Sequence, residues 1–378
     1  NILVMKFTVS SSALNSQLQT LAKVINSKNT LAILDSFLFE VKDNTLYLTA
    51  SDNENIIKSS LALDACDADG KFTIVHRTIL DVLKELPEQP LVFNIDLESL
   101  NAEVVYQNGK YNFTLQNGTD YPEPPVLEPS ATVISIASDV LCNNISRSVF
   151  AIGQDAMRPI MSSIYFDLTT ESLSIVASDG HKLVRNQVLT VKGEKEASFM
   201  LPKKPALLLK NVLKKDDSLV SITFDGKYAE LKFADGVLIS RLIEGRYPKY
   251  NSVIPQENPN HLTIDRALLL GALRRVTPFA SESTQLVRLH LESTAITLTA
   301  QDIDFARSAK ETLTCDYNGA SLDIGFKGTS LMEILSNMES EEVTFKIADP
   351  SRAGIIEPTV QPENENVLML IMPMLLND

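Results

Sequence analysis

The stretch 36–52, SFLFEVKDNTLYLTASD, recurs as SIYFDLTTESLSIVASD at 163–179 and as LVRLHLESTAITLTAQD at 286–302, aligned over its whole length without a gap. Apolar residues fall in the same alternating columns each time. Phe37, Phe39 and Val41 answer to Ile164, Phe166 and Leu168 and to Val287, Leu289 and Leu291. Past a short polar turn, Leu46 and Leu48 answer to Leu173 and Ile175 and to Ile296 and Leu298. Period-2 alternation on both sides of a polar turn predicts a β-hairpin with one buried face. Each stretch closes on an aspartate, Asp52, Asp179 or Asp302. Three aspartates in one column, only one of them followed by a histidine two residues on, point to turn capping rather than catalysis.

The flanks repeat as well. A helical pattern precedes each hairpin: Leu14, Leu18, Leu21 and Ile25 in 11–26, Val140, Leu141 and Ile145 in 138–150, and Leu268, Leu269, Ala272, Leu273 and Val276 in 265–276. A strand and a second helix follow in 72–86, 198–215 and 321–338. Further strands close the units, with turn signals at Asn108-Gly109, Asp225-Gly226 and Asp235-Gly236. The first two units end alike, in NGTDYPEPP at 117–125 and EGRYPKYNSVIP at 244–255. The chain therefore reads as three copies of one α+β domain, at 1–127, 128–257 and 258–378, with proline-rich linkers at Pro122 to Pro129 and Pro255 to Pro259. Asn1 to Val4 precede Met5 and read as a cloning remnant.

A length of 378 residues suits two to three domains, and 44% apolar residues suffice for a core in each. No run approaches a membrane span and no signal peptide is visible, so a cytoplasmic protein is expected. Cys66, Cys142 and Cys315 lack CxxC spacing, which suggests neither a disulfide framework nor a metal site. No phosphate-binding glycine loop, HExxH or GxSxG element occurs, and His76, His181, His261 and His290 are scattered. No catalytic residue and no cofactor is implied.

A net charge of −14 should repel a polyanion. Its distribution is uneven, however. The six helical segments 11–26, 77–86, 138–150, 203–215, 265–276 and 328–338 hold twelve Lys and Arg against five Asp and Glu, a balance of +7, which leaves −21 on the rest. Lys203, Lys204, Lys210, Lys214 and Lys215 cluster in one segment, and Arg266, Arg274 and Arg275 in another. Solvated helix faces account for such a pattern equally well.

MKFTV at 5–9, ASDGHKL at 177–183, LIEGRYPKY at 242–250 and MPM at 372–374, set in a threefold repeat, give a chain that resembles the bacterial DNA polymerase III beta subunits along its length from Met5. The resemblance implies three DNA-clamp domains per chain in a head-to-tail homodimer, with helices lining the interior of a ring and antiparallel sheets outside. Duplex DNA would thread the ring without regard to sequence. The polymerase catalytic subunit, the clamp loader and repair proteins would dock through short peptide motifs. It implies a peptide site at Met161, Ser178, Gly180, His181, Lys182, Leu183, Pro248, Val253, Leu370, Ile371, Met372, Pro373 and Met374. It also implies DNA-facing cations at Lys28, Arg77, Arg147 and Arg158, with Lys203, Lys204 and Lys210 beside them. The chain departs from the family in ending Leu375-Leu376-Asn377-Asp378, and in carrying Ser252 and Thr284 where an arginine and an aromatic are found. Two other classes compete. A motif-free enzyme would need a convergent polar cluster in one pocket. A DNA-independent repeat scaffold accounts for the repeats and leaves the charge split unexplained.

Overall fold

A computed structural model describes residues 4–155 and 157–376. Of the expected remnant only Val4 is therefore described, as the first residue of the strand Val4–Ser10, opposite Asp96; Asn377 and Asp378 also lie outside the described residues.

The three hairpins form with one register. Val41 pairs with Leu46, Leu168 with Leu173 and Leu291 with Ile296. Every residue of the five alternating apolar columns is buried. The aspartate column caps the turns that follow. Asp52 Oδ1 accepts the amides of Glu54 and Asn55 at 3.0 and 2.7 Å, and Asp179 Oδ1 those of His181 and Lys182 at 2.8 and 2.9 Å. In the third copy, whose turn is longer, Asp302 accepts the Phe305 amide at 3.3 Å and the Arg307 guanidinium at 3.0 Å.

Two helices accompany each hairpin: α1 (Ser11–Leu21) and α2 (His76–Leu83), α3 (Ser138–Val149) and α4 (Lys203–Val212), α5 (Arg266–Val276) and α6 (Gly328–Ser336). Side-chain caps fix two starts: Ser10 accepts the Ala13 amide and Asp265 the Leu268 amide. Several helices stop short of their sequence patterns. Ala22–Val24 tightens into a 3₁₀ turn. Lys214 and Lys215 fall beyond α4, because the Lys214 carbonyl accepts the Ser138 hydroxyl at 2.6 Å and its ammonium pairs with Asp235 at 2.8 Å.

Sheets run across the repeat boundaries, so the compact units of the chain are not the repeats. One unit comprises the chain through Cys142 with Leu207–Leu242, the other Asn143–Ala206 with Ile243 onward. In the first, a nine-stranded antiparallel sheet runs in the order Gln116–Asn117, Gly70–Val75, Ser36–Lys42, Thr45–Ser51, Asn55–Ala62, Gly236–Arg241, Tyr228–Phe233, Leu219–Phe224, Thr132–Ala137. A five-stranded sheet beside it ends on Asn101–Tyr106 and Gly109–Thr114. In the second unit a nine-stranded sheet runs Ala197–Pro202, Ser163–Leu168, Leu173–Ser178, Lys182–Val188, Glu365–Ile371, Gly354–Pro358, Glu342–Ile347, Asn260–Asp265, Asp316–Tyr317. Its companion has four strands and begins at Arg307–Thr314, followed by Ala295–Asp302.

Each nine-stranded sheet contains one junction between repeats, and the two junctions match. Ile56 lies opposite Ile239 and the Arg241 amide donates to the Glu54 carbonyl at 2.8 Å. Leu183 lies opposite Leu370 and the Met372 amide donates to the His181 carbonyl at 2.8 Å. The third repeat's counterpart of these hairpin strands, Arg307–Thr314, and the first repeat's counterpart of the incoming strands, Gly109–Thr114, are end strands of their sheets.

Because the hairpin columns form the core, truncating one of them should be costly. Phe166, buried and stacked on Phe199 at 4.5 Å, is expected to lose about 3–5 kcal/mol on change to alanine. Urea unfolding followed by tyrosine fluorescence measures this; a loss below about 1 kcal/mol would contradict the assigned core.

Candidate functional site

The turn after the second hairpin is a small hydrogen-bonded unit. Gly180 holds a φ of +93°, a conformation costly for residues with a Cβ. Its amide donates to the Ser178 hydroxyl at 3.1 Å, and that hydroxyl donates to the Lys182 carbonyl at 2.8 Å. The Lys182 ammonium, its side chain only 9% exposed, pairs with Asp179 at 2.7 Å and with Glu333 of α6 at 3.0 Å. Burial pulls the Lys182 pKa down, but the bonds to Asp179 and Glu333 outweigh it and hold the ammonium charged.

This turn forms one wall of a cleft of about 390 Å³. His181, Lys182, Ile371, Met372, Pro373 and Met374 line it, as the sequence grouped them, together with Asp179, Ser283, Thr284, Lys327, Thr329, Ser330 and Glu333. The Met374 amide donates to the Gly325 carbonyl at 2.7 Å, which fixes the C-terminal segment across the cleft. Met372 is 42% exposed although its neighbour Ile371 is buried.

Of the remaining grouped residues, Ser178 and Gly180 belong to the turn and two others to an apolar cluster. Leu183 and Leu370 are core, packed with Val176, Met200, Tyr247, Tyr250, Ile254 and Leu368. Burial, and then the nearby Asp167 that accepts its hydroxyl at 2.8 Å, push the Tyr250 pKa up to about 12. Met161 is half-buried, in the 3₁₀ turn Pro159–Ser162, and Pro248 and Val253 are exposed on the segment that covers the cluster. The first repeat repeats the turn: Asn53, at φ +80°, donates its amide to the Ser51 hydroxyl at 3.0 Å. There, however, Leu34, in the column of Met161, is fully buried with Leu38 and Tyr121.

One of the expected DNA-facing cations is corrected. Arg147 is 5% exposed. Its guanidinium bridges Glu365 at 2.6 Å and Glu339 at 3.5 Å, and Asn144 donates to the same Glu365 oxygen at 3.1 Å. It is a buried structural pair with no face left for phosphate. Arg158, its side chain 55% exposed, pairs with Asp155 at 3.0 Å and stands against Gly180, a surface pair that leaves the cation open to solvent. Lys28, Arg77, Lys203 and Lys210 are exposed, and Lys204 is half-buried. Sequence reasoning missed Lys327, Thr329, Ser330 and Glu333. Their signal was the strand-to-helix step at 322–336, whose helix start opens into the cleft.

Among the described residues no group of three His, Cys, Asp or Glu side chains is placed to hold a metal, and no helix is long and apolar enough to cross a membrane. Three repeats of paired sheets and two helices, joined by shared sheets, define a DNA-clamp architecture. The match to known proteins is equally extensive. Family models of the DNA polymerase III beta subunit match in order: the N-terminal domain at 5–127, the central domain at 135–249 and the C-terminal domain at 251–375. The beta sliding clamp of Pseudomonas aeruginosa is 27% identical over 98% of this chain and 100% of its own. That of Escherichia coli K12 is 25% identical over the same shares. A crystal structure of a Pseudomonas aeruginosa sliding clamp bound to griselimycin superposes with a TM-score of 0.92 at 26% identity, covering 98% of this chain and 100% of that one. The chain belongs to the DNA polymerase III beta subunit family, the non-catalytic sliding clamps that serve as processivity factors in DNA replication.

Two outcomes are expected from the ion pairs. Burial raises the Asp179 pKa, but hydrogen bonds from the Lys182 ammonium and from the Lys182 and His181 amides outweigh it, so the carboxyl sits below its ordinary 3.8. A group depressed on folding contributes stability that is complete above its ordinary pKa and lost as pH falls through the lowered one. The turn should therefore loosen below about pH 4, read as faster exchange of the Met372 amide, and Asp179→Asn should abolish that pH dependence. Arg147→Gln should cost about 3–5 kcal/mol in chemical denaturation by leaving Glu365 buried and unpaired; a neutral result would return Arg147 to the solvent-facing cations.

Proposed function

We propose that two copies of this chain close head to tail into a ring around duplex DNA, and that the cleft beside His181 and Met372 holds short peptides of the polymerase, the clamp loader and repair proteins. The observation that carries this is the pair of matching junctions. Two are made within the chain, and the third set of edges, Gly109–Thr114 and Arg307–Thr314, has no strand partner among the described residues. An unpaired edge is a template for another strand. Edges of opposite kind at the two ends of a chain form a heterologous contact, which closes on itself when the rotation allows. Repeating the register of the made junctions puts Asn112 of one copy opposite the counterpart of Ile56 in the other, and three domains on each side would supply six equivalent junctions.

The charge split supports threading. Lys28, Arg77, Lys203 and Lys210 are exposed on or beside helices, while the chain as a whole is acidic. Contacts of this kind are to phosphate, carry no base information and weaken with salt. Topology then does what affinity does elsewhere. The domain limits 1–127, 128–257 and 258–378 are proposed with this reading, each junction lying between successive domains. A DNA-independent scaffold is not favoured, since the homologous clamps match along the full chain.

Native mass spectrometry is expected to give a dimer at twice 41.7 kDa. By the register of the made junctions, the Asn112 amide has the same outward parity as the Arg241 amide that bridges to Glu54. Asn112→Pro should therefore yield monomer with its hairpin intact and lose retention on nicked circular DNA. A monomeric parent protein, or a fully dimeric variant, would sink the ring assignment.

A further inference from the structure

A pocket of about 760 Å³ opens on the nine-stranded sheet of the second unit, and none of its lining residues lines the cleft beside Met372. Adjacent strands from Lys182–Val188 to Glu342–Ile347 contribute to it, together with the segment 254–259. Buried Ile254, Ile355 and Leu368 make part of its wall apolar. Alternation along Lys182–Val188 puts Arg185 on the same face as the core residue Leu183. There it stands opposite Val176 on one neighbouring strand and Leu368 on the other, both buried.

Arg185 Nη2 donates to the Asn366 Oδ1 at 2.8 Å, but its buried Nε has no hydrogen-bond partner among the described residues. None of the described carboxylates lies within ion-pair distance of it. Burial holds its pKa below the ordinary arginine value, although Tyr250 and Glu357 nearby raise it. A cation withdrawn from water without a counter-charge is costly, and an arriving anion relieves that cost. Of the lining carboxylates, Glu357 pairs with Lys346 at 2.7 Å, Asp349 Oδ1 accepts the Ser351 and Arg352 amides at 2.8 and 3.0 Å, and Glu257 is exposed to water. Arg352, half of its side chain exposed, is also held by a neutral oxygen, the Glu257 carbonyl at 3.0 Å, with the Asp349 carboxylate 3.9 Å away.

The same wall carries an unmet acceptor. Asn258 is 7% exposed, and its Nδ2 donates to the Lys346 and Ala353 carbonyls, both at 2.9 Å. Those two bonds fix the amide and leave its Oδ1 buried without a partner.

We infer that this pocket binds a small organic oxyanion, a carboxylate or phosphate monoester that also carries an apolar body and a hydrogen-bond donor. Arg185 and Arg352 take the oxyanion, for which a guanidinium fork is the matching shape. Asn258 Oδ1 accepts the donor, and Ile254, Ile355 and Leu368 pack against the body. The pocket falls within the range of about 300–1,000 Å³ usual for small-molecule sites.

Two matched pairs of probes, 4-aminobenzoate with 4-aminobenzamide and adenosine 5′-monophosphate with adenosine, are titrated into the intact protein labelled at the isoleucine δ1 methyls. Saturable shifts of Ile254 and Ile355 are expected from at least one charged probe, on the order of tenfold tighter than from its neutral partner. The tighter of the two charged probes identifies carboxylate or phosphate as the group preferred. The charged probe's advantage should shrink in about 0.5 M salt, and fall toward one in Arg185→Gln and in Arg352→Gln. Arg352 is exposed enough that its substitution leaves the fold intact, which an unmoved Ile371 methyl verifies. Absence of saturation by either charged probe below about 10 mM, equal affinity within both pairs, or an advantage untouched by both substitutions overturns the site. So does a perturbation centred on Ile371, which lines the cleft beside Met372, instead of on Ile355.

Discussion

Backbone pairing across the ends of sheets is the constraint on which the rest of this protein depends. A strand at a sheet edge carries a row of amides and carbonyls that water satisfies only in part, and that another strand satisfies with direction and register. Each repeat offers one such edge from its central hairpin and another from its closing hairpin. Within the chain the hairpin edge of one repeat takes the closing strand of the next, at Asn55–Ala62 with Gly236–Arg241 and at Lys182–Val188 with Glu365–Ile371. The compact units therefore straddle repeats, and the second repeat contributes a sheet to each. The edges left at Gly109–Thr114 and Arg307–Thr314 are the ones on which the proposed head-to-tail self-association rests.

The same junction also creates the cleft. Once the incoming strand ends at Ile371, the following residues cross the hairpin turn at His181, and the Met372 amide bonds to the His181 carbonyl at 2.8 Å. In the first repeat the equivalent bond joins Arg241 to Glu54, and a long-range ion pair at 3.6 Å lies there instead of two methionines. Equivalent backbone thus gives different surfaces because the side chains differ: Leu34 is buried where Met161 is half-exposed, and Glu54 stands where His181 does. Methionine suits an adaptable wall, since its unbranched thioether can repack against different partners. The polar half of the cleft is kept rigid by Lys182, which neutralises two carboxylates from different parts of the chain.

Much of this was legible in the sequence. Hairpin register, buried columns, six helices and the capping role of Asp52, Asp179 and Asp302 follow from period, turn chemistry and repetition, all of which are local. Repetition sharpened each of them, because a residue such as Asp179 could be weighed against its two counterparts. Cleft residues from His181 and Met372 to Met374 were grouped by family likeness, and the geometry does bring them to one space. Helix ends were less legible: Lys214 leaves α4 because Ser138, far away in sequence, claims its carbonyl.

What the sequence by itself determined is thus the repeated unit, its strand order within each hairpin and the identity of its family, since alternation and capping act over a few residues and need no distant partner. Only the tertiary structure decided which charges are spent and which are available. Family likeness placed Arg147 among the DNA-facing cations. It is sealed by Glu365 and Glu339, more than 190 residues away in the chain. Conversely, nothing in the composition of 327–330 announces that Lys327, Thr329 and Ser330 line a cleft with His181; they do so because the start of α6 faces a turn from another repeat. Charge is counted along a sequence, but its free energy depends on what surrounds it in space, and long-range packing alone supplies those surroundings.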